Sequence, residues 1–321
     1  MSSPAREWSS PRRAENSAPY PPPLSGDAKA HHGRIFANNA FVHCNFFPAT
    51  ASLLVMRILS LAVLFMLLCG CRSTRRAEAP VGPHLRVLTY NVNWGAPEAE
   101  TAAQIIRESR ADVVCLQETT TQWESFLRAA LRREYPLAEF RNSKGRMGGG
   151  LAFLSKVPAR EIAYVPSDTG WFDGWIADFE TPIGTVQVLN VHLRPPISDH
   201  GSWVSGYVST RDDRVQEMER FWNHRRDGVP MLVAGDFNDG ENSRVLHWLQ
   251  QRGMVNALPQ FDRSTPTWKW KTSVATLSRR MDHVVYSPEL HCRSARVISA
   301  GASDHFPVEA VFTRTPMASA R

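Results

Sequence analysis

The sequence is poor in cysteine. It has five in 321 residues, Cys44, Cys69, Cys71, Cys115 and Cys292, and none forms a C-x-x-C pair. A structural zinc site built on thiolates is therefore unsupported. No G-x-G-x-x-G follows the first strand-like segment, which removes a dinucleotide-binding reading. Charge of one sign is scarce as well. The formal net charge is +6, but residues 1–71 hold six Lys/Arg and three acids, leaving 31 basic and 28 acidic residues beyond Cys71. That small excess lacks the strongly basic footprint of a tight nucleic-acid binder. Charged residues make up only 21% and hydrophobic ones 43%, which excludes wholesale disorder and supports a sizeable core. The length allows one large domain or two ordinary ones. There is no internal repeat.

Long apolar runs are missing too, with one exception. Ile58 to Leu68 is an apolar run of eleven residues, short of the roughly 20 residues that a spanning helix needs. Met56-Arg57 gives it a short positive start, and it ends in Leu68-Cys69-Gly70-Cys71. This pattern resembles a bacterial lipoprotein signal, with Cys71 as the lipidated residue. An ordinary signal peptide or an N-terminal membrane anchor is the plainer alternative. Residues 1–55, with "SAPYPPPLSG", carry no helical or strand period. Either Met56 is the true start or these residues are a disordered leader, and the first reading is favoured. Residues 72–84, "RSTRRAEAPVGPH", suit a linker. The expected organisation is thus a leader or mis-assigned start (1–55), a signal (56–71), a linker (72–84) and a domain over 85–315. The expected location is outside the cell or in the periplasm, on a membrane lipid anchor.

From Leu85 the texture changes. "LRVLTYNV" is β-branched and alternating, and reads as a strand. "APEAETAAQIIRESR" has helical spacing, "ADVVCLQE" is a second strand, and "TTQWESFLRAALRREY" is a helix capped by Thr. "GGGLAFLSK" is a strand, and "WIADFETPIGTVQVLNVHL" is a hairpin around Pro-Ile-Gly. "STRDDRVQEMERFWNHRRDG" is a third helix. "PMLVAGD" is a strand, and "SRVLHWLQQRG" is a helix closed by Gly253. "MDHVVYS", "RSARVIS" and "PVEAVFT" are the last strands. Single helices between strands, with a hairpin among them, predict two packed mixed β-sheets flanked by helices, a four-layered α/β sandwich. Cys115, inside "DVVCLQE", reads as a small core residue.

The polar residues fall at the ends of these strands. Asn91 and Asn93 follow the first and Glu118 ends the second. His192 and Arg194 end the hairpin, and Asp236 and Asn238 follow "MLVAG". Asp282 opens "MDHVVY", and Ser303-Asp304-His305 precede the last strand. Singly, each has a dull explanation, such as a turn, a cap or a hydrogen-bonded core histidine. Six segments at strand rims converge if the strands pack side by side. Asp, Glu, Asn and His without Cys suit a hard cation such as Mg²⁺ or Mn²⁺.

The segments "LTYNVNWG", "VVCLQET", "GGGLAFLSK", "VLNVHL", "GDFND", "RRMDHVVYS" and "SDHFPV" resemble, in order, the motifs of the endonuclease/exonuclease/phosphatase superfamily. The resemblance covers residues 85 to 313. It implies a divalent-metal-dependent phosphoester hydrolase, a phosphodiesterase or an endonuclease, that attacks phosphate with an activated water. It implies Glu118 as the main metal ligand, with Asn91 and Asp304 completing the metal's surroundings. His192 matches a phosphate-contacting histidine, Asn238 an amide on a phosphate oxygen, and Asp282 the carboxylate that orients His305. Asp236 and His305 are competing candidates for the base. Asn93 stands where some members have an acid. Arg280 and Arg211 are candidate phosphate neighbours.

Substrate choice is less legible. "RNSKGRMGGG" is basic and suits either phosphates or a solvated turn. Trp171, Phe172, Trp175, Trp268 and Trp270 fall in expected loops, where aromatics beside Lys269 and Lys271 stack bases or dip into lipid headgroups. Trp268 has a third reading, packing against the site wall. Nucleic acid and lipid or inositol phosphates are both open as substrates, and a monomer is expected. The alternatives are a phosphatase or sphingomyelinase-like enzyme, or a surface-anchored binding module that has lost the chemistry.

Overall fold

The computed structural model describes residues 74–95, 98–142, 148–198, 203–271 and 275–316. The signal-like segment with Cys71 and the leader expected before it lie outside these residues, as does 143–147 of the basic Gly-rich loop. Among the described residues, no helix is long and apolar enough to cross a membrane.

β1 (Leu85–Asn91) and β2 (Val113–Thr119) are joined through α1 (Ala99–Ser109). α2 (Thr121–Leu131) leads to β3 (Leu137–Arg141), β4 (Gly150–Ser155) and β5 (Ala159–Val165). β6 (Gly174–Thr181) and β7 (Gly184–His192) form the hairpin expected around Pro-Ile-Gly. α3 (Trp203–Ser209) and α4 (Arg211–Trp222) precede β8 (Met231–Asp236), and α5 (Arg244–Gln250) follows it. Then come β9 (Val255–Asn256), β10 (Trp268–Lys271), β11 (Thr276–Arg279), β12 (Asp282–Tyr286), β13 (Leu290–Val297) and β14 (Val308–Arg314).

One six-stranded sheet has the order β13-β14-β1-β2-β4-β3, and the other β5-β6-β7-β8-β12-β9; β10 and β11 pair by themselves. The central strands are apolar on both faces because both faces are covered. Leu85, Val87, Cys115 and Phe153 of the first sheet meet Trp175, Phe179, Val188 and Leu232 of the second. Leu88, Tyr90 and Leu116 face the other way, onto Ile106 of α1 and Leu127 of α2. Val191, Val233 and Val285 carry Met218 and Phe221 of α4 and Leu249 of α5 on the outer side of the second sheet. The result is helices, sheet, sheet, helices: the four-layered sandwich that the alternation of elements predicts.

This topology explains the rim. β1 and β2 run parallel, as do β7 and β8, so all four present their C-terminal ends on one edge. β14 is antiparallel to β1, and β12 to β8, so these two offer their N-terminal ends to the same edge.

Several expectations need correction in detail. The third helix, expected over 209–228, is α4 and is shorter, Arg211–Trp222, and a further short helix, α3, precedes it. The break falls at Thr210, whose hydroxyl bonds back to the Gly206 carbonyl at 2.7 Å. Gly206 itself sits so close to Ile197 and Ser198 that a Cβ there would lie 2.3 Å from the Ser198 nitrogen. Edge strands β3 and β5 gave no clear alternation because much of each is solvated. Trp175 is not in a loop but in β6, 2% exposed, its ring 4.9 Å from that of Phe153. Trp268 and Trp270 lie in β10. Cys115 and Cys292 are both buried and unbonded to each other. The described part of the linker, 74–84, has no regular structure but is not loose: Arg75 N–H donates to the Gln260 carbonyl at 2.6 Å, Glu78 N–H donates to the Arg293 carbonyl at 3.1 Å, and Glu78 also pairs with the Arg293 guanidinium.

Candidate active site

Asn91, at the end of β1, is completely buried, and its amide donates to Glu118 Oε1 and to Asp236 Oδ2, both at 3.0 Å. One side chain thus joins the first sheet to the second. Glu118 reaches it through a bulge. The β2–β4 register slips between Gln117 and Thr119, and Glu118 stands at φ 61°, in the left-handed region. A non-glycine residue held there signals a functional constraint more often than chance. The slip brings Gly150 so close that a Cβ there would lie 1.9 Å from the Thr119 oxygen, which is why the strand opens with glycine. The Glu118 carboxylate also accepts the Trp94 backbone N–H at 3.2 Å.

Asp236 is the hub. It is 1% exposed and sits in register with His192 on one side and Asp282 on the other. Its Oδ2 lies 3.5 Å from His192 Nε2 and 3.6 Å from His305 Nε2. The preceding Gly235 has φ 154°, and a Cβ there would fall 1.9 Å from the Val191 oxygen. Only glycine lets β8 approach β7 this closely and still aim Asp236 inward. Asn238 turns the chain at φ 50°, its N–H donating to Asp236 Oδ1 at 2.8 Å. The turn reading of "GDFND" and the functional one are therefore the same geometry. The Asn238 side-chain amide also donates to the Leu193 carbonyl at 2.9 Å, which fixes its orientation.

His305 Nδ1 donates to Asp282 at 2.9 Å from Oδ2, as the resemblance implies. Its backbone is fixed by Ser303, whose hydroxyl donates to the Asn91 carbonyl at 2.8 Å and accepts the His305 N–H at 3.0 Å. Burial opposes charging His305, but the Asp282 and Asp236 carboxylates overcome it and hold the ring well above the ordinary histidine range. His192 goes the other way. Burial lowers it to about 4, its Nδ1 donates to the Gly148 carbonyl at 3.1 Å, and Phe172 stacks on its ring at 3.8 Å. In the neutral ring Nε2 then carries the lone pair. The Asp236 and Glu118 carboxyls are both raised, chiefly by burial. The two imidazoles that flank Asp236 are thus shifted in opposite directions, the pattern of an acid and an acceptor.

The remaining candidates stand further out. Asp304 accepts from the Asn93 amide at 2.8 Å and the Trp268 indole at 3.1 Å. Trp268 is therefore a wall of the site, the third of its sequence readings. Arg280 is spent on a loop: it reaches the carbonyls of Thr265 and Asp262, both at 2.8 Å, and the carboxylates of Glu241 and Asp262. Arg211 lies over the Tyr207 ring at 4.9 Å. Among the described residues, neither arginine has a bond to the Asp236 cluster. Sequence reasoning missed Phe172 as the plate behind His192, the Gly148 carbonyl that sets its tautomer, and Thr267, whose hydroxyl accepts the Met281 and Asp282 N–H groups. A backbone carbonyl has no sequence signal. Thr267 stood beside Trp268 in "TPTW", but its partners are 14 residues or more away.

The site suits a hard divalent cation. Among the described residues, none of Glu118, Asp236, Asp282 and Asp304 has a Lys or Arg partner, and only histidines stand within ion-pair distance. Carboxylate oxygens of Asp236 and Asp282 lie within 4.8 Å of each other and of a His305 ring nitrogen; a protonated His305 offers no lone pair, so the oxygens are the donors. Four carboxylates with one imidazolium leave negative charge for a cation to balance, and oxygen donors are what such a cation selects.

Comparison with known proteins agrees. Residues 88–305 match the model of the Endonuclease/Exonuclease/phosphatase family. An inositol phosphosphingolipids phospholipase C from Saccharomyces cerevisiae is 27% identical over 168 residues, 46% of this chain. The matched part is only 34% of that relative's length. An endonuclease/exonuclease/phosphatase from Beutenbergia cavernae superposes with a TM-score of 0.57 at 21% identity, over 72% of each chain. The human Nocturnin catalytic domain gives 0.53 at 19% identity, over 74% of this chain and 97% of that one. TDP2 from Caenorhabditis elegans gives 0.53 at 18%, over 72% and 75%. These structures share the fold. With the family match spanning most of the chain and the rim residues in place, the chain belongs to the Endonuclease/Exonuclease/phosphatase family.

Proposed function

We propose that the chain hydrolyses phosphodiester bonds with a water activated at Asp236 and a divalent cation, Mg²⁺ or Mn²⁺, bound beside Glu118. The observation that supports this most is Asp236 itself: a buried carboxylate between two imidazoles, bridged by Asn91 to a strained, partly buried Glu118. Glu118 and Asn91 would hold the cation, with Asp304 beside them. When bound, it polarises the phosphoryl oxygens and offsets the charge that builds up on them.

The chain's own groups divide the proton work. His305 is kept as imidazolium by Asp282, so it is not the base. Asp236, whose carboxyl is raised by burial, takes the proton from the attacking water. The water oxygen bonds to phosphorus as the bond between phosphorus and the leaving oxygen breaks, and His305 gives its Nε2 proton to that leaving oxygen. Neutral His192 faces Asp236 with a bare Nε2. A phosphate anion alongside raises its proton affinity, so that Nε2 takes up a proton from solvent as substrate binds and donates it in a hydrogen bond to a phosphate oxygen. Asn238 adds a fixed amide on the same side.

Calorimetric titration with Mn²⁺ tests the cation site: Glu118→Gln weakens binding at least about tenfold, in line with the loss of a ligand or its support. Turnover of bis(p-nitrophenyl) phosphate is abolished by EDTA, restored by Mg²⁺ or Mn²⁺, and lost in His305→Ala. Unchanged turnover in that variant, or unchanged Mn²⁺ affinity in Glu118→Gln, removes the mechanism.

We further propose that the chain is exported and anchored through Cys71, a reading supported by the Met56–Cys71 sequence pattern. Metabolic labelling with radioactive palmitate is expected to mark the wild type and not Cys71→Ser; equal labelling of both refutes it.

A further inference from the structure

His283 has no part in the mechanism above, yet it is completely buried and both of its ring nitrogens are engaged. It follows Asp282 in β12, and successive side chains of a strand point to opposite faces. Asp282 meets His305 at the rim between the sheets. His283 therefore lies on the outer side of the second sheet, in register with Gly235 of β8. Its ring stands edge to face with Phe237, centroids 5.2 Å apart. Nε2 lies 3.0 Å from the Asp239 carbonyl, and Nδ1 lies 3.0 Å from the amide nitrogen of Asn256.

A carbonyl only accepts, so Nε2 carries the hydrogen and Nδ1 is left to accept from Asn256. The Asn256 Oδ1 is buried without a hydrogen-bond partner among the described residues. Turning that amide over would set its oxygen against the Nδ1 lone pair, so the ring decides how the amide lies. An unpaired buried oxygen is costly, and it is tolerated here while Nε2–H stays on Asp239.

The carbonyl held in this way belongs to the turn that carries Asn238. Phe237 N–H donates to the Met281 carbonyl at 2.8 Å, and Asn238 N–H to Asp236 Oδ1 at 2.8 Å. Arg214 grips the Asp239 carboxylate at 3.0 Å. With His283 added, the residue after Asn238 is fixed at its side chain and at its main chain. Asn238 stands at φ 50°, and a non-glycine residue keeps such a backbone only where its surroundings over-determine it. Taking away the Nε2 donor leaves the buried Asp239 carbonyl unpaired and lets the turn relax.

We propose that His283 is a positioning residue: its Nε2–H locks the Asp239 carbonyl and so fixes the turn that aims the Asn238 amide at a phosphate oxygen. Asp282 and His283 then serve one site from the two faces of a single strand, the first through His305 and the second through Asn238. The target of the amide rests on the phosphodiesterase reading; the lock on the turn does not.

Two variants of the full chain separate the donor from the bulk. His283→Gln places an amide N–H near the position of Nε2, and His283→Leu fills similar space with no donor. In calorimetric titration of inorganic phosphate onto the Mn²⁺-loaded protein, His283→Leu is expected to bind at least about tenfold more weakly than wild type and His283→Gln within about threefold, the scale of one buried hydrogen bond. Mn²⁺ affinity stays at the wild-type level in both. For bis(p-nitrophenyl) phosphate, kcat falls at least about tenfold in His283→Leu and recovers in His283→Gln. In an Asn238→Ala background His283→Leu costs less than about threefold, because the group it acts through is already gone. Equal loss of phosphate affinity in the Gln and Leu variants overturns the assignment, as does an undiminished loss in the Asn238→Ala background. So does a parallel fall in Mn²⁺ affinity, which marks a general loosening of the fold. If the wild type binds phosphate but turns over no ester, the function reading fails and the phosphate affinities alone decide the positioning. A wild type that binds no phosphate refutes it.

Discussion

His305 points its Nε2 at Asp236 because Asp282 holds its other nitrogen, and Asp282 is itself held by Thr267. Replacing Asp282 with Asn keeps the shape and removes the charge that favours imidazolium. Asp282→Asn is therefore expected to lower kcat by about 10²- to 10⁴-fold, the range for losing an oriented acid or base, with a urea midpoint close to wild type. A kcat within a few-fold of wild type would show that His305 needs no such partner. The rim position of these residues was legible because each sits at the end of an apolar run; the roles expected of them came only from the family resemblance. What could not be read was how each is aimed. The left-handed backbone of Glu118 and Asn238 follows from a bulge and a close strand approach, features set by partners far away in sequence.

At the scale of elements, α4 supports the site from behind. Arg214, fully buried, donates to Asp239 at 3.0 Å, to the Arg194 carbonyl at 3.2 Å and to Thr210 at 2.7 Å. One turn on, Glu217 accepts from Ser167, Thr169 and the Arg194 N–H. The two residues thereby tie down the loops after β7 and β8 and the 167–172 segment that carries Phe172 to His192. Burial, with a smaller contribution from Asp213, raises the Glu217 carboxyl above its ordinary 4.5, against its three hydrogen bonds. The folded chain thus keeps a proton that the unfolded chain has released, so stability falls as pH rises from 4.5 through the folded value. Urea midpoints measured from about pH 5 to about pH 8 are expected to drop for the wild type more than for Glu217→Gln. Parallel profiles would refute this. Helical period located α4 but not this duty, since its buried Arg and Glu read as polar residues in an amphipathic pattern. The edge strands β3 and β5 and the β10–β11 hairpin escaped for the opposite reason: exposed on most sides, they carry no hydrophobic period to detect.

For the whole molecule, the layering was legible because central strands covered on both faces must be apolar throughout, while helices need only one apolar stripe. The order of strands was not, because it depends on pairings such as β1 with β14, more than 200 residues apart. The site draws Asn91, Glu118 and His305 from one sheet and His192, Asp236 and Asp282 from the other, so it exists only where the two faces meet. Phe153, 4.9 Å from Trp175 and 5.2 Å from Phe179, sits in that meeting plane. Phe153→Ala is expected to cost about 3–5 kcal/mol, and activity should be lost at the same urea concentration as the tertiary signal. Activity outlasting that signal would mean that the layers are not jointly required. The first strand waits for the last. A nascent chain leaving the ribosome holds most of its reactive groups long before β14 emerges, yet cannot seat His305 until that strand lies beside β1. A chain that stops short of β14 is therefore expected to lack the pairing that seats His305 beside β1, however much of the rest has folded.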